Sequence, residues 1–240
     1  MPVINTNVAA IKARSNFERV QRDMDQSIAR LSSGKRINSA HDDAAGLAIS
    51  GRLESQVRGL NMQIRNTKDG QAMVDSMEGT LQEVTGILQR MRELAVQASS
   101  GIATAADRGY LDTEMEALVA EIDAISLNTT YNETVLFTGA TFSFFADINV
   151  TGTEIITTAI QLAASSLTVS ATDVSVMTVL DAQSAINDID NAISTLAQDR
   201  AIMGSISNRM NHIIDNLTNV VANTVSAQSR VQDADYAVET

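Results

Sequence analysis

The sequence of 240 residues contains no cysteine or tryptophan, one proline, five phenylalanines, three tyrosines and two histidines. The absence of cysteine excludes disulfides, thiolate metal sites and a cysteine nucleophile. The scarcity of proline and of aromatic residues is more typical of long helices than of a β-sandwich or a β-barrel. No apolar run approaches the roughly 18 residues of a membrane span. The charged first twenty residues lack the apolar segment of a cleavable secretory signal.

Charge is distributed unevenly along the chain. Residues 109–199 contain no lysine or arginine but thirteen acids, whereas residues 1–68 contain eleven bases and six acids. These bases lack the interleaved aromatic residues of many nucleic-acid sites, and the net charge of the chain is -12. We therefore interpret the basic end as an ordinary charged helix surface, and we expect no nucleic-acid partner and no membrane partner.

Apolar residues recur every three or four positions outside the middle of the chain, which predicts amphipathic helices. The two longest predicted helices match in length, and the chain between them must return, so we expect them to pack antiparallel. The predicted fold class is mainly α, a long antiparallel helical rod or coiled-coil bundle with a small β-rich central domain. The predicted elements are a first helix ending at Gly34, a loop over 35–43, and helices over 44–98, 105–127 and 180–238.

The same spacing predicts which side chains form the packing seam between these helices. The seam residues are Leu81, Val84, Leu88 and Met91 in the second helix, Leu111, Met115, Leu118 and Ile122 in the third, and Ile189, Ile193, Leu196, Met203, Ile206, Met210, Ile213 and Leu217 in the fourth.

The second predicted helix contains an unusual number of glycines, each of which costs about 1 kcal/mol relative to alanine in a helix interior. Either the helix is broken, or backbones approach closely where no side chain fits. Because the apolar stripe continues through the glycines, we favour close approach, and its occurrence on several faces indicates neighbours beyond the intramolecular partner. The glycines are Gly46, Gly51, Gly59, Gly70, Gly79 and Gly86.

The middle of the chain is rich in threonine, serine, valine and isoleucine. Segments 142–150, 154–162 and 167–176 are typical of short strands. Five of the eight aromatic residues gather here, which predicts a small hairpin cluster with its own aromatic core at the end of the rod. They are Tyr131, Phe137, Phe142, Phe144 and Phe145.

Residues that carry enzyme chemistry are scarce. The sequence lacks phosphate-binding, dinucleotide-binding, zinc-protease and serine-hydrolase motifs. His41 lies beside Asp42 and Asp43, but a helix-capping loop explains this group better than a metal site. Asp188 and Asp190 are two positions apart and cannot share a helix face. We predict no catalytic residue, no metal and no cofactor.

Six segments of the chain together resemble bacterial flagellin, and long ordered motifs near both ends are more specific than one short pattern. They are MPVINTN at 1–7, RLSSGKRINSA at 30–40, DDAAGLAI at 42–49, QRMRELAVQ at 89–97, GSISNRM at 204–210 and VQDADYAVET at 231–240.

The resemblance implies a structural subunit that polymerises with itself into the extracellular flagellar filament and serves motility. It implies passage through the flagellar export apparatus without a cleavable signal peptide, and assembly beneath a filament cap. Residues 1–42 would form an inner-tube helix with its linker loop, 43–127 and 180–240 the rod, and 128–179 a variable domain facing solvent. The alternatives are a hook–filament junction protein and a secreted binding module that presents its central domain.

The resemblance also implies contacts with an animal Toll-like receptor at Gln89, Arg90, Leu94 and Glu114. Arg90 and Leu94 lie one helical turn apart, which predicts an arginine-plus-apolar hot spot; the alternatives are a filament contact and a solvated helix face. Residues 138–178 are candidates for O-linked sugars. Family members usually continue past the Asp-Ala-Asp-Tyr motif into a further apolar helix that partners residues 5–33, so we expect the 240-residue form to polymerise poorly.

Overall fold

A computed structural model describes residues 7–145, 154–156 and 160–239. The mainly α fold with a small β-containing centre is confirmed. The chain divides into two compact units: unit 1 comprises Met1–Asn61 and Thr218–Thr240, and unit 2 comprises Met62–Leu217. The elements of the described part are α1 (Val8–Ser33), α2 (Ala44–Ala98), α3 (Ala105–Asn128), β1 (Thr130–Tyr131), β2 (Thr134–Val135), β3 (Ser143–Phe145), β4 (Glu154–Ile156), α4 (Val179–Gln232) and α5 (Tyr236–Glu239).

Local side chains and glycine set the helix ends. α1 ends where Gly34 adopts the left-handed conformation, with φ 70°, and its N–H donates to the carbonyl of Arg30 at 2.8 Å. α2 begins where the carboxylate of Asp43 accepts a hydrogen bond from the N–H of Gly46 at 2.9 Å. α3 begins with a capping box in which Thr104 and Asp107 bond each other's backbone N–H.

α2 is continuous through all six glycines, so the interpretation as a broken helix is wrong. An added Cβ at Gly46 would lie 2.6 Å from the Ile37 side chain, and one at Gly70 would lie 2.8 Å from the Phe144 ring. Close approach therefore explains these two positions. At Gly51, Gly59, Gly79 and Gly86, no heavy atom of the described residues, apart from the adjacent backbone of α2 itself, lies within 4 Å of an added Cβ.

α4 ends at Gln232 and not at the predicted Val238. The carbonyl of Gln232 accepts the N–H of Arg36 at 2.7 Å, and the N–H of Ala234 donates to the carbonyl of Gly34 at 3.0 Å. Between these bonds Lys35 pairs with Asp233 as an antiparallel bridge. The loop after α1 thus takes the backbone groups that a longer helix would use, and α5 begins only at Tyr236.

In unit 2, α2 and α4 run antiparallel. Three side-chain pairs join them: Gln71 with Asn211 at 3.1 Å, Glu78 with Arg200 at 2.7 Å, and Arg92 with Asp190 at 2.6 Å. The α4 residue number falls as the α2 number rises, which requires opposite directions. α3 adds a third helix, whose buried residues are Met115, Val119, Ile122 and Ser126.

The predicted strand over 167–176 is wrong, because this segment forms turns. The N–H of Val169 donates to the carbonyl of Ala164 at 2.9 Å. Two carboxylates of α3 take further backbone groups: Asp123 accepts from the N–H of Ala164 and Asp112 from that of Val176, each at 2.8 Å. Turns and α3 side chains thereby provide the hydrogen bonds that a partner strand would otherwise supply.

β3 and β4 form an antiparallel pair in the register Ser143 with Ile156, and residues 146–153 and 157–159 of the predicted strands lie outside the described part. The prediction of a separate aromatic core is wrong. Phe137 is buried in the same cluster as the seams of α2 and α4, and Tyr131, Phe142 and Phe144 pack against that cluster. Apolar residues before position 146 and after position 159 join this core because the central segment lies along α3. The side chain of Phe145 is outside the described part.

Candidate assembly surfaces

The predicted seam residues lie inside unit 2 rather than on its surface. Twelve of the sixteen are buried, and Leu111, Leu118, Ile193 and Ile213 are half-buried. Their side chains are therefore committed to packing within the chain and are unavailable to a second copy. The buried members are Leu81, Val84, Leu88, Met91, Met115, Ile122, Ile189, Leu196, Met203, Ile206, Met210 and Leu217.

The apolar stripe of α1, unlike the seam, lies on the surface. All residues of α1 are described, and none of them is buried. The stripe lies on one helix face, and exposure of its large side chains runs from 48% at Met24 to 69% at Phe17. A helix without tertiary packing is marginal in water, so this face lacks the contacts that normally stabilise such a helix. The α1 stripe comprises Phe17, Val20, Met24 and Ile28.

The last turn of α1 is held by the segment that follows α4. Arg30 forms an ion pair with Glu239 at 3.2 Å, and the hydroxyl of Tyr236 lies 3.5 Å from the carbonyl of Leu31. The pair is partly buried, with side-chain exposures of 27% and 12%. α5 therefore fixes the end of α1 beside the loop, while the stripe itself remains on the surface.

The loop between α1 and α2 is organised around one carboxylate. Asp42 accepts hydrogen bonds from the N–H of Ser39 at 2.9 Å and of Asn38 at 3.1 Å, and from the side chain of Gln26 on α1 at 3.1 Å. The backbone bond from Ser39, followed by that from Asn38, lowers the pKa of Asp42. The ionised carboxylate thus links the loop to α1, as expected for a capping loop, and His41 is exposed beside it.

The four residues predicted to contact a receptor do not form one exposed group. Gln89, Arg90 and Glu114 are exposed, and the guanidinium of Arg90 donates to Glu114 at 2.8 and 3.0 Å and to Glu93 at 3.0 Å. The hydrogen bonds from Arg90 to Glu114 are the main cause of its raised pKa. Leu94 is 1% exposed, so the expected arginine-plus-apolar hot spot is absent. The core-facing stripe of α2 is wider here than the predicted seam.

Two features of unit 2 were not predicted from the sequence. Asp190, considered only as half of a carboxylate pair, bonds Arg92 and raises its pKa. Ile102 and Tyr110, in and after the turn between α2 and α3, are 92% and 77% exposed and line a cavity of about 490 Å³ together with Asp107. The sequence signal for this exposed pair was Ile102 itself, an isoleucine in the turn between Gly101 and Thr104, where the fold needs no buried apolar residue.

Within the described residues, no group of three or more His, Asp or Glu side chains is placed to hold a metal ion. None of the helices in that part of the chain combines the length and hydrophobicity that a membrane span requires. The features present are a buried helical seam, interhelical ion pairs and exposed apolar faces. These features define a helical structural protein with more association surface than one copy buries.

Comparisons with known proteins identify the family. The family model for the bacterial flagellin N-terminal helical region matches residues 4–141, and that for the C-terminal helical region matches residues 186–240. The flagellin of Halalkalibacterium halodurans is 38% identical over 99% of this chain and 88% of its own length. The flagellar filament core protein flaB2 of Brachyspira hyodysenteriae is 34% identical over 98% of this chain and 87% of its own length.

Solved structures agree. Bacillus cereus flagellin matches with a TM-score of 0.57 and 31% identity, over 68% of this chain and 94% of that one. A putative flagellar hook-associated protein from Vibrio parahaemolyticus matches with a TM-score of 0.69 over 80% of this chain and all of that one. At 14% identity, this second likeness concerns the fold alone.

The chain belongs to the bacterial flagellin family. It is a subunit of the flagellar filament, an extracellular appendage, and the family is one of structural proteins and not of enzymes. The predicted family, fold class and filament function are thereby confirmed, and the sequence identity favours flagellin over the junction protein.

Proposed function

We propose that the α1 stripe is a surface through which copies of this chain bind one another in the filament. In this proposal residues 1–42 lie in the inner part of the filament wall, 43–127 and 180–240 form its outer part, and 128–179 face solvent. The observation that carries the proposal is the exposure of every large apolar side chain of the stripe. Fully burying one such side chain contributes roughly 1.5–3 kcal/mol, so covering the stripe supplies a strong driving force for association.

The geometry of filaments supports a contact of this kind. Contacts that join two different surfaces and do not close into a ring generate an open helical polymer. An amphipathic helix held near its C-terminal end, by Arg30 with Glu239 and by Gln26 with Asp42, presents its remaining face to other copies.

Electron microscopy of the native full-length protein under polymerising conditions tests this proposal. We expect the double variant Phe17→Ser, Val20→Ser to yield at least tenfold fewer filaments than the unmodified protein. The matched control Arg19→Ser, Arg22→Ser changes two exposed side chains on the opposite face of α1 and should polymerise nearly normally. Normal filaments from the stripe variant would contradict the proposed role.

We propose that the chain leaves the cell through the flagellar export apparatus and assembles beneath a filament cap. The match to flagellins, whose filament is an extracellular appendage, supports this route. After removal of any sugars, the intact mass of subunits from washed filaments should correspond to the full translated chain, apart from the initiator methionine. A mass lower by an N-terminal segment of signal-peptide length would exclude this route.

A second proposed role is recognition by an animal Toll-like receptor through Gln89, Arg90 and Glu114, with Leu94 acting only by packing beneath them. The exposed ion pair between Arg90 and Glu114 supports it, because arginine is frequent at binding hot spots. Arg90→Ala in monomeric protein should lower receptor signalling at least tenfold, while Arg92→Ala serves as a neighbouring control. Equal signalling by the Arg90 variant would remove this role.

We also propose that residues 138–178 carry O-linked sugars. Exposed hydroxyls at Ser165, Ser166 and Thr168 in the turn after Ala164 support it. Intact mass of the protein from its native host should exceed the sequence mass by whole sugar units, and peptide mapping should place them in this range. An unmodified mass would rule out the sugars.

A further inference from the structure

The methionines of this chain fall into two groups that differ in exposure. Nine of the ten lie in the described part. Met24, Met62 and Met177 are 48%, 49% and 52% exposed, whereas the other six are core residues with exposures between 0% and 5%. Because the oxidation of a sulfur in a protein depends on its exposure, only the first three are open to an oxidant in solution. The six buried methionines are Met73, Met77, Met91, Met115, Met203 and Met210.

The three exposed methionines lie in different parts of the fold. Met24 belongs to the α1 stripe and lies one helical turn from both Val20 and Ile28. Met62 is on α2, and Met177 is in the segment just before α4, so neither belongs to the stripe. Since the three side chains are almost equally exposed, what distinguishes Met24 is its position on an apolar surface that a single copy leaves uncovered.

Oxidation changes the polarity of a methionine side chain but not its length. A peroxide transfers one oxygen atom to the thioether sulfur: the peroxide O–O bond breaks, the S–O bond of a sulfoxide forms, and the second oxygen leaves as water or an alcohol. The sulfur loses two electrons and the peroxide gains them. The product is a polar side chain, and burying a polar group without a hydrogen-bond donor is costly.

We infer that Met24 is a redox-sensitive modification site that controls whether a subunit can assemble. A peroxide oxidises this thioether in the unassembled subunit, and the sulfoxide prevents the α1 stripe from being covered by other copies. The neighbouring stripe residues Phe17, Val20 and Ile28 have hydrocarbon side chains that offer the sulfoxide oxygen no donor. Oxidation of Met62 or Met177 leaves the stripe unchanged.

Assembly and reduction both limit this modification. When copies bind through the α1 stripe, Met24 is covered, so a peroxide reaches its sulfur only before assembly. The sulfoxide is reversible: a methionine sulfoxide reductase returns the thioether, the oxygen leaves as water, and a dithiol reductant is oxidised to a disulfide. This inference rests on the proposed function of the α1 stripe and specifies how that surface is regulated.

Dilute hydrogen peroxide added to unpolymerised, native full-length protein tests the inference. Peptide mass mapping should place sulfoxide at Met24, Met62 and Met177 and leave the six buried methionines unmodified. The critical concentration for assembly should rise at least about fivefold, because a polar group enters an apolar contact. Met24→Leu keeps the side chain apolar and should assemble equally well with and without peroxide. The matched control Met62→Leu, Met177→Leu should lose assembly after peroxide as the unmodified protein does.

The outcomes separate this inference from the proposed function. An unchanged critical concentration after oxidation, or an equal loss in Met24→Leu, would overturn the role of Met24. Failure of the proposed function would appear without oxidant, as normal filaments from Phe17→Ser, Val20→Ser. If Met24→Leu assembles poorly before treatment, the oxidised Met62→Leu, Met177→Leu variant decides, since Met24 is then the one exposed methionine of the described chain. Reductase and dithiol should restore its assembly, and a loss that persists after the sulfoxide is removed would overturn the inference.

Discussion

In unit 2 the apolar faces of α2, α3 and α4 meet in one core, whereas in unit 1 the apolar face of α1 lies on the surface. The buried hydrophobic side chains in the described part of unit 1 are Ile37 and Leu60, and all others belong to unit 2. Both units are built from amphipathic helices of similar periodicity. The difference teaches that a stripe indicates which face of a helix is to be covered, and that its partner can belong to the same chain or to another.

The largest expected effect separates the two kinds of stripe. Leu88 is completely buried in unit 2, so Leu88→Ala should lower the free energy of unfolding of the monomer by about 2–5 kcal/mol. Phe17→Ala in α1 should change it by less than about 0.5 kcal/mol, since the ring is exposed. Urea denaturation of unpolymerised protein, followed by circular dichroism, measures both. Comparable losses would mean that the stripe of α1 is packed within the single chain.

Two glycines of α2 allow a covered face and an exposed face to be compared within one helix. Gly70→Ala should destabilise the monomer by about 1–3 kcal/mol, because the added Cβ meets the Phe144 ring at 2.8 Å. The Cβ of Gly79→Ala meets no described atom within 4 Å beyond the adjacent backbone of α2, and the change should stabilise the monomer by up to about 1 kcal/mol through helix propensity. Thermal denaturation of both variants checks the contrast. If Gly79→Ala also weakens filament assembly, a neighbouring copy approaches that face, as the sequence predicts.

The turn between β1 and β2 should yield a smaller gain. Asn132 and Glu133 both have positive φ, 49° and 65°, a conformation for which such two-residue turns favour glycine at the second position. Glu133→Gly should therefore stabilise unit 2 by about 0.5–1 kcal/mol, the relief of strain exceeding the added freedom of the unfolded chain. Thr134→Gly, in the following strand, is the control and should destabilise. Equal melting temperatures for wild type and Glu133→Gly would show that the turn is unstrained.

The smallest expected effects concern Asp42 and Asp199, whose ionised carboxylates change the stability of the fold in opposite directions. Hydrogen bonds from Ser39 and Asn38 lower the pKa of Asp42, so its stabilising contribution is present above the ordinary pKa of 3.8 and is lost as pH falls through the lowered value. Burial raises the pKa of Asp199, so its ionised form costs stability at neutral pH and not in acid.

Hydrogen exchange and denaturation at pH 7 and in acid distinguish these two cases. Asp42→Asn should loosen the loop over 35–43 at pH 7, with a difference from wild type that shrinks in strong acid. Asp199→Asn should stabilise unit 2 at pH 7, with a gain that disappears as pH falls below the raised pKa. A difference that is independent of pH in either variant would assign its effect to packing rather than charge.

An element could be predicted from the sequence where its hydrogen-bond and packing partners are close to it in the chain, and could not where they are distant. The end of α1 and the start of α2 could be predicted because Gly34, Asp43 and the apolar period act locally. The end of α4 could not, because a loop some two hundred positions earlier takes its backbone groups. The segment 167–176 has strand-like composition, but turns and the α3 carboxylate of Asp112 take its backbone hydrogen bonds. The surface role of Leu94 was likewise mistaken, because the width of a buried stripe depends on how α3 lies against α2.

The amino-acid sequence by itself determined the family, the mainly α class and the periodic seam, since these depend on motifs and on a helical period that each segment carries alone. Only the tertiary structure decided which stripe is covered and which is exposed, where α4 stops, and which bases remain unpaired. The physical reason is that burial and ion pairing depend on atoms distant in sequence, and their positions are set when the helices pack.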